Sequence, residues 1–271
     1  MDEIGRRRAI YLAVLVAVEG ALAACSDTQA PGTRNVADKR GRTPGAGGRP
    51  NRPSPSPSPS PTPTFQPVAV PSRKPIHQIS ELNPAAPPNS IALTIDDGPD
   101  PEWTPRVLDL LAQHHVVATF CVVGDAVREH PELLKRIVAA GHAICNHTMS
   151  HPQPFAGLSS ERMSAEVTGA LREIWNTTGV TSRLFRAPGG SWSPAVLETI
   201  AGSGMQPLDW DIDPRDWARP GSGAIEAELL HAKPGSILLC HDGGGDRAQT
   251  LRALTTVIPT LQGRGLTFIT L

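Results

Sequence analysis

From about Ile76 onward, short β-branched or apolar runs alternate with longer amphipathic stretches as far as Leu271. This alternation constrains the fold more than any other feature. Ile91–Ile95, Val116–Val123, His142–Asn146, Ser182–Phe185, Gly204–Asp211, Ser236–Cys240 and Gly265–Leu271 read as strands. Between them, Pro105–Gln113, Pro131 to about Gly141, Leu158–Thr178, Pro194 to about Gly202 and Arg247–Arg264 have helical spacing. Ser159 and Ser193 stand where helix N-caps belong, and Gly141 where a helix should close. Repeated strand–helix units imply parallel strands with helices outside. The expected class is α/β, an irregular (β/α) barrel with fewer than eight complete units; an open doubly wound sheet is the competing architecture. Both gather their chemistry at the carboxyl ends of the strands.

The segment before this domain has a different texture. Residues 26–75 hold almost no apolar periodicity, and Ser54–Thr64 alternates Ser or Thr with Pro. Such a stretch cannot bury enough apolar surface to offset the entropy of ordering. A disordered, semi-rigid Pro/Ser/Gly-rich spacer is expected there. Residues 1–25 carry Arg6, Arg7 and Arg8, then an apolar run from Ile10 to Val18, then Leu22-Ala23-Ala24-Cys25. This resembles a bacterial lipoprotein signal, which would place lipid on Cys25 and hold the protein on the outer face of the cell membrane. A net charge of −1 gives no basic field for nucleic acid. Cys121, Cys145 and Cys240 sit in apolar runs and read as small core residues, with a Cys121–Cys145 bridge left open.

Polar, reactive residues cluster where the strands end. Asp96-Asp97-Gly98, His147 to His151, Arg186-Ala187-Pro188-Gly189, Asp211 to Trp217, and His241-Asp242 each follow a strand-like run. Any one of them could be a turn or a cap. His147 and His151, four apart, would converge on one side of a helical turn. With a carboxylate they offer two nitrogens and one oxygen, an open site for one divalent ion, zinc by donor type and cobalt or another ion as alternatives.

Five segments together resemble the motifs of the polysaccharide deacetylase family of carbohydrate esterases, in family order from about Asn89 to Leu271. They are Thr94-Ile95-Asp96-Asp97-Gly98-Pro99, His147-Thr148-Met149-Ser150-His151, Arg186-Ala187-Pro188-Gly189-Gly190, Asp213-Pro214-Arg215-Asp216-Trp217 and Leu239-Cys240-His241. The resemblance implies a catalytic domain over residues 76–271. It implies Asp96 as base, Asp97, His147 and His151 as metal ligands, and Arg186 orienting Asp96. His241 would be the acid, Asp213 its hydrogen-bonding partner, Gly189 N–H the oxyanion donor, and Trp217 and Leu239 the walls of an acetyl pocket. Many members carry Tyr where Gly189 stands. The implied activity is removal of N-acetyl groups from amino sugars of peptidoglycan or a chitin-like glycan, by a monomer. An O-acetyl esterase on acetylxylan-type polymers and a non-catalytic glycan-binding lipoprotein are the alternatives.

Overall fold

The structure is a computed structural model that describes residues 74–271. The expected signal segment, Cys25 and all but the last two residues of the spacer lie outside the described residues.

In chain order the elements are α1 (Ile79–Leu82), β1 (Ser90–Asp96), α2 (Trp103–Gln113), β2 (Thr119–Val122), α3 (Gly124–Glu129), α4 (Pro131–Ala139) and β3 (Ala143–Asn146). They continue with α5 (Ser160–Thr178), β4 (Leu184–Phe185), α6 (Pro194–Gly202), β5 (Gln206–Pro207), α7 (Ser222–Leu229), β6 (Ile237–His241), α8 (Ala248–Gly263) and β7 (Thr267–Phe268). The strands form one parallel sheet in the order β5-β4-β3-β2-β1-β6, with β7 beside the start of β1. The sheet curls into a partial barrel. Its two edges, β5 and β6, do not pair directly. The seam is closed by isolated bridges, Ile76 with Leu208, Gln78 with Ser236 and Ile212 with Leu238.

Every residue of β1 and of β6 is buried, as parallel strands covered on both faces require. Ile91, Leu93 and Ile95 pack outward against Val107 and Leu111 of α2 and Leu254 and Ile258 of α8. The alternate face of β1 turns inward. Ala92 meets Cys121, Cys145 and Ile237 there, and small side chains suit so narrow an interior. Cys121 and Cys145 are register neighbours on β2 and β3, and all three described cysteines are free and fully buried. They act as small apolar fillers. Further up β1, the same inward face carries Thr94 and then Asp96.

The caps follow the chemistry of the sequence. Ser159 Oγ accepts from Arg162 N at the start of α5, and Gly179 closes that helix at φ 71°. Ser193 Oγ accepts from Val196 N ahead of Pro194 in α6. The strand expected over 204–211 is only Gln206–Pro207, although Leu208 N still donates to the Phe185 carbonyl at 2.8 Å. Three helices were not legible: α1 has four residues, α3 has six, and α7 buries only Ile225 and Leu229.

Candidate active site

Five loops at the carboxyl ends of the strands enclose a cavity of about 490 Å³. Asp96, Asp97, His147, His151, Gly189, Trp217, Leu239 and His241 all line it.

Arg186, fully buried after β4, organises the floor. Its Nη1 donates to Asp96 Oδ1 at 2.7 Å and to Thr94 Oγ1 at 2.8 Å, while Nη2 donates to the Asp209 carbonyl at 2.8 Å. One carboxylate oxygen of Asp96 is thereby fixed. The other, Oδ2, looks toward the histidines, 3.7 Å from His147 Nε2.

Asp97 follows with φ 75°, so strand geometry ends at Asp96. The turn brings both carboxylates to the same imidazole rather than sending them in different directions. Asp97 Oδ1 lies 3.4 Å from His147 Nε2 and 3.2 Å from His151 Nε2.

His147 and His151 converge, yet not on a helical turn. Thr148 has φ 70° and His151 φ 54°, which breaks any helix. Side chains hold the loop instead. Asn146 Oδ1 accepts from Thr148 N at 2.9 Å, Thr148 Oγ1 accepts from His151 N at 3.0 Å, and Glu166 accepts from Ser150 N and Oγ at 2.8 Å each. Asn146 and Glu166 are braces that the sequence reading missed.

Asp97, His147 and His151 form a group that could hold a metal ion. The residues fit one on their own geometry. Asp97 Oδ1 is buried without a hydrogen-bond partner, although two imidazole nitrogens stand near it. That is costly unless a cation sits between them. His147 Nδ1 donates to the Arg186 carbonyl at 2.9 Å, which fixes the ring with Nε2 turned toward Asp96 and Asp97. Burial alone would raise the Asp97 pKa, but the close His147 imidazole, with His241 and His151, holds it below the usual carboxylate range. Burial and the His147 charge push His151 down, toward the neutral form a ligand needs.

His241 ends β6 on the opposite wall. Its Nδ1 donates to Asp216 Oδ1 at 2.6 Å, and its backbone N donates to Asp216 Oδ2 at 2.9 Å. Thr250 Oγ1 also donates to Asp216 Oδ2, at 2.8 Å. Burial opposes protonation of His241. The Asp216 hydrogen bond and charge, with Asp96 and Asp97, outweigh it and push the imidazole up to about 9. Asp216 is correspondingly held low despite its burial.

The imidazole partner is therefore Asp216 and not Asp213, which corrects the expectation from the sequence. Asp213 Oδ1 accepts from Arg215 N at 2.7 Å, capping a tight turn in which Arg215 has φ 52°. The turn buries Asp216, three residues on, beneath the end of β6, while Asp213 stays at the cavity wall. The two aspartates share one segment, so spacing alone did not separate them.

Gly189 sits at φ 61°, and a Cβ there would come within 3.2 Å of Gln153 Nε2. Trp217 is 49% exposed at the rim, with the Arg215 guanidinium over its ring, and Leu239 is buried below. Trp210, Gln153 and Arg247 also line the cavity and were not anticipated.

Known proteins share this arrangement's sequence and fold. The family model described as polysaccharide deacetylase matches residues 83–208. A chitooligosaccharide deacetylase of Sinorhizobium fredii is 45% identical over 189 residues, 65% of this chain and 87% of that one. The chain belongs to the polysaccharide deacetylase family. The deacetylase is also 42% identical over 185 residues to a peptidoglycan-N-acetylglucosamine deacetylase of Bacillus cereus, covering 66% of this chain and 85% of that one. Among solved structures, a peptidoglycan N-acetylglucosamine deacetylase in complex with 4-naphthalen-1-yl-N-oxidanyl-benzamide matches with a TM-score of 0.65 and 33% identity. That match covers 68% of this chain and 88% of the other.

Proposed function

We propose that this deacetylase hydrolyses N-acetyl groups on amino sugars of peptidoglycan or a chitin-type glycan. The observation that carries this reading is the cavity itself. An oriented carboxylate, a three-residue cation site and a buried Asp216–His241 pair face one space. The curated relatives named above, a chitooligosaccharide deacetylase and a peptidoglycan-N-acetylglucosamine deacetylase, support the amide as the bond attacked.

Asp97, His147 and His151 would hold one divalent ion, and their nitrogen and oxygen donors suit zinc. Bound there, such an ion supplies Lewis acidity to an acetyl carbonyl and eases ionisation of water. Asp96 is the base: Arg186 occupies Oδ1, so Oδ2 takes the proton from the attacking water. His241 is the acid. Asp216 occupies Nδ1, which leaves Nε2 to deliver a proton to the departing amine. An imidazole pushed up to about 9 is charged at neutral pH and ready to give that proton. Gly189 N–H serves the developing oxyanion, while Leu239 and Trp217 wall the acetyl group. The Cys25 segment motivates a lipid anchor on the outer face of the cell membrane, with residues 26–75 as the spacer that lets the domain reach a wall glycan.

The test is acetate release by the purified protein on peptidoglycan, chitooligosaccharides and acetylxylan, side by side. Release from the two N-acetylated glycans is expected to dominate. Release from acetylxylan alone would overturn the reading.

A further inference from the structure

Arg247 has no task in the chemistry above, yet it lines the same cavity and is only 4% exposed. Its Nε donates to the Gly243 carbonyl at 2.7 Å, which fixes the guanidinium against the loop after β6. That uses one of its five N–H donors. Among the described residues, no acceptor lies in hydrogen-bonding geometry to either Nη, and no carboxylate oxygen comes within 4.0 Å of the group. The Nη atoms open on the cavity rather than being sealed from water, so the group is anchored at Nε and free to pair at its tip. A guanidinium that faces a cleft with no protein partner at its tip offers its free N–H donors to a ligand.

The neighbourhood keeps that place open. Gly244 stands at φ 72°, a backbone conformation that favours glycine. A Cβ there would lie 2.9 Å from Asp97 Oδ2 and 3.2 Å from Arg247 Nη2. The bare backbone thus leaves the guanidinium beside the site of reaction, close to a candidate cation ligand but not ion-paired with it.

We propose that Arg247 is a specificity-determining residue that binds a carboxylate carried by the glycan next to the acetamido group. The inference rests on the deacetylase reading above and selects, within it, acidic glycans over neutral ones. A planar Nη pair matches a carboxylate in geometry and charge. A singly charged group also suits a cavity that holds Asp96, Asp97 and Asp213, where a dianion would meet more repulsion.

The experiment compares three N-acetylated tetrasaccharides on the full-length protein. One is neutral and chitin-type. The second alternates N-acetylglucosamine with N-acetylmuramic acid, and the third is the second with its carboxyls amidated. Hydrogen bonds to charged groups predict a kcat/KM about ten- to a hundredfold higher on the free acid than on its amide, carried mainly by KM. In Arg247→Gln that ratio should collapse toward one, and in Arg247→Lys it should keep a fraction of its size. Metal content should stay at the wild-type level in both, which a role confined to steadying Asp97 would not predict. A wild-type enzyme indifferent to amidation overturns the proposal whether or not the variants fold. Equal losses on free acid and amide in Arg247→Gln overturn it as well. Inactivity of the wild type on all three glycans would instead count against the deacetylase reading.

Discussion

Asp216→Asn preserves the shape of the buried partner of His241 while removing its charge. The Asn oxygen can keep the bonds that Asp216 Oδ2 accepts from His241 N and Thr250 Oγ1. The Asn NH2 then points at His241 Nδ1, which must become an acceptor, so the ring is driven to the neutral tautomer with its proton on Nε2. In the wild type the imidazole stands at about 9 against an ordinary 6.5, with Asp216 the largest of the favourable contributors. That difference corresponds to roughly 3 kcal/mol in favour of the charged ring. A divalent ion at Asp97 offsets part of the carboxylate pull, so the alkaline limb of the loaded enzyme should fall at or below about 9. In Asp216→Asn the limb should move down to 6.5 or lower. A general acid contributes on the order of 10²–10⁴-fold, so kcat/KM on an N-acetyl glycan should drop by at least about a hundredfold on the alkaline side of neutrality. The deficit should narrow as the pH falls. The assay is acetate release from chitotetraose across the pH range, with metal content measured on each preparation and Asp213→Asn run in parallel. Among the described residues Asp213 accepts a hydrogen bond from Arg215 N and makes none with His241, so its variant should keep the wild-type limb. A limb that stays put in Asp216→Asn, or moves equally in Asp213→Asn, would refute the reasoning.

Other outcomes follow from the same geometry. His147→Ala and His151→Ala should each lose bound metal and activity together; full metal stoichiometry in either would remove that residue from the ligand set. The Asp216–His241 pair should stabilise the fold above the ordinary carboxylate value of 3.8, where the depressed Asp216 is ionised, and lose that contribution as pH rises through about 9; thermal melts against pH check both edges. Gly98→Ala would put a Cβ 2.3 Å from the buried Asp242 Oδ1, an overpacking worth about 1–3 kcal/mol or more, and an unchanged melting temperature would contradict it. Cys25→Ala should free the protein from the membrane fraction or stall its processing; unchanged partitioning with normal processing would rule out lipid on Cys25.

Strand–helix alternation made the barrel class legible, because each buried parallel strand leaves an unbroken apolar run such as Ile91–Ile95. Helix starts were legible where a serine caps the first turn, as at Ser159 and Ser193. α7 was not, since two buried residues four apart carry almost no periodic signal. The reactive part of the cavity lining was legible because those residues sit at strand ends, which the topology gathers automatically, whereas Gln153, Trp210 and Arg247 carried no such signal. What failed depended on loop conformation. A pair of histidines four apart suggests a helical turn, but Thr148 and His151 adopt positive φ as their N–H groups donate to Asn146 Oδ1 and Thr148 Oγ1, bonds that spacing cannot reveal. Asp213 and Asp216 differ only in which side of a turn becomes buried, and that is decided by Thr250 and the end of β6, far along the chain.

The seam between β5 and β6 has a consequence for the order of assembly. Ile76 is among the first domain residues to be synthesised, yet the partners that close the seam come late. His77 Nδ1 meets the Trp210 carbonyl at 2.7 Å across 133 residues of chain, and Gln78 pairs with Ser236 later still. Contacts of such sequence separation form slowly, because the intervening loop must be closed first. Strands β1 to β5 can align, and Ile76 can meet Leu208 directly after β5, but the ring shuts only when β6 brings Ser236 to Gln78. Until then two strand edges stand open to other chains, which makes the interval before closure the time when a newly made chain is most exposed to misassociation.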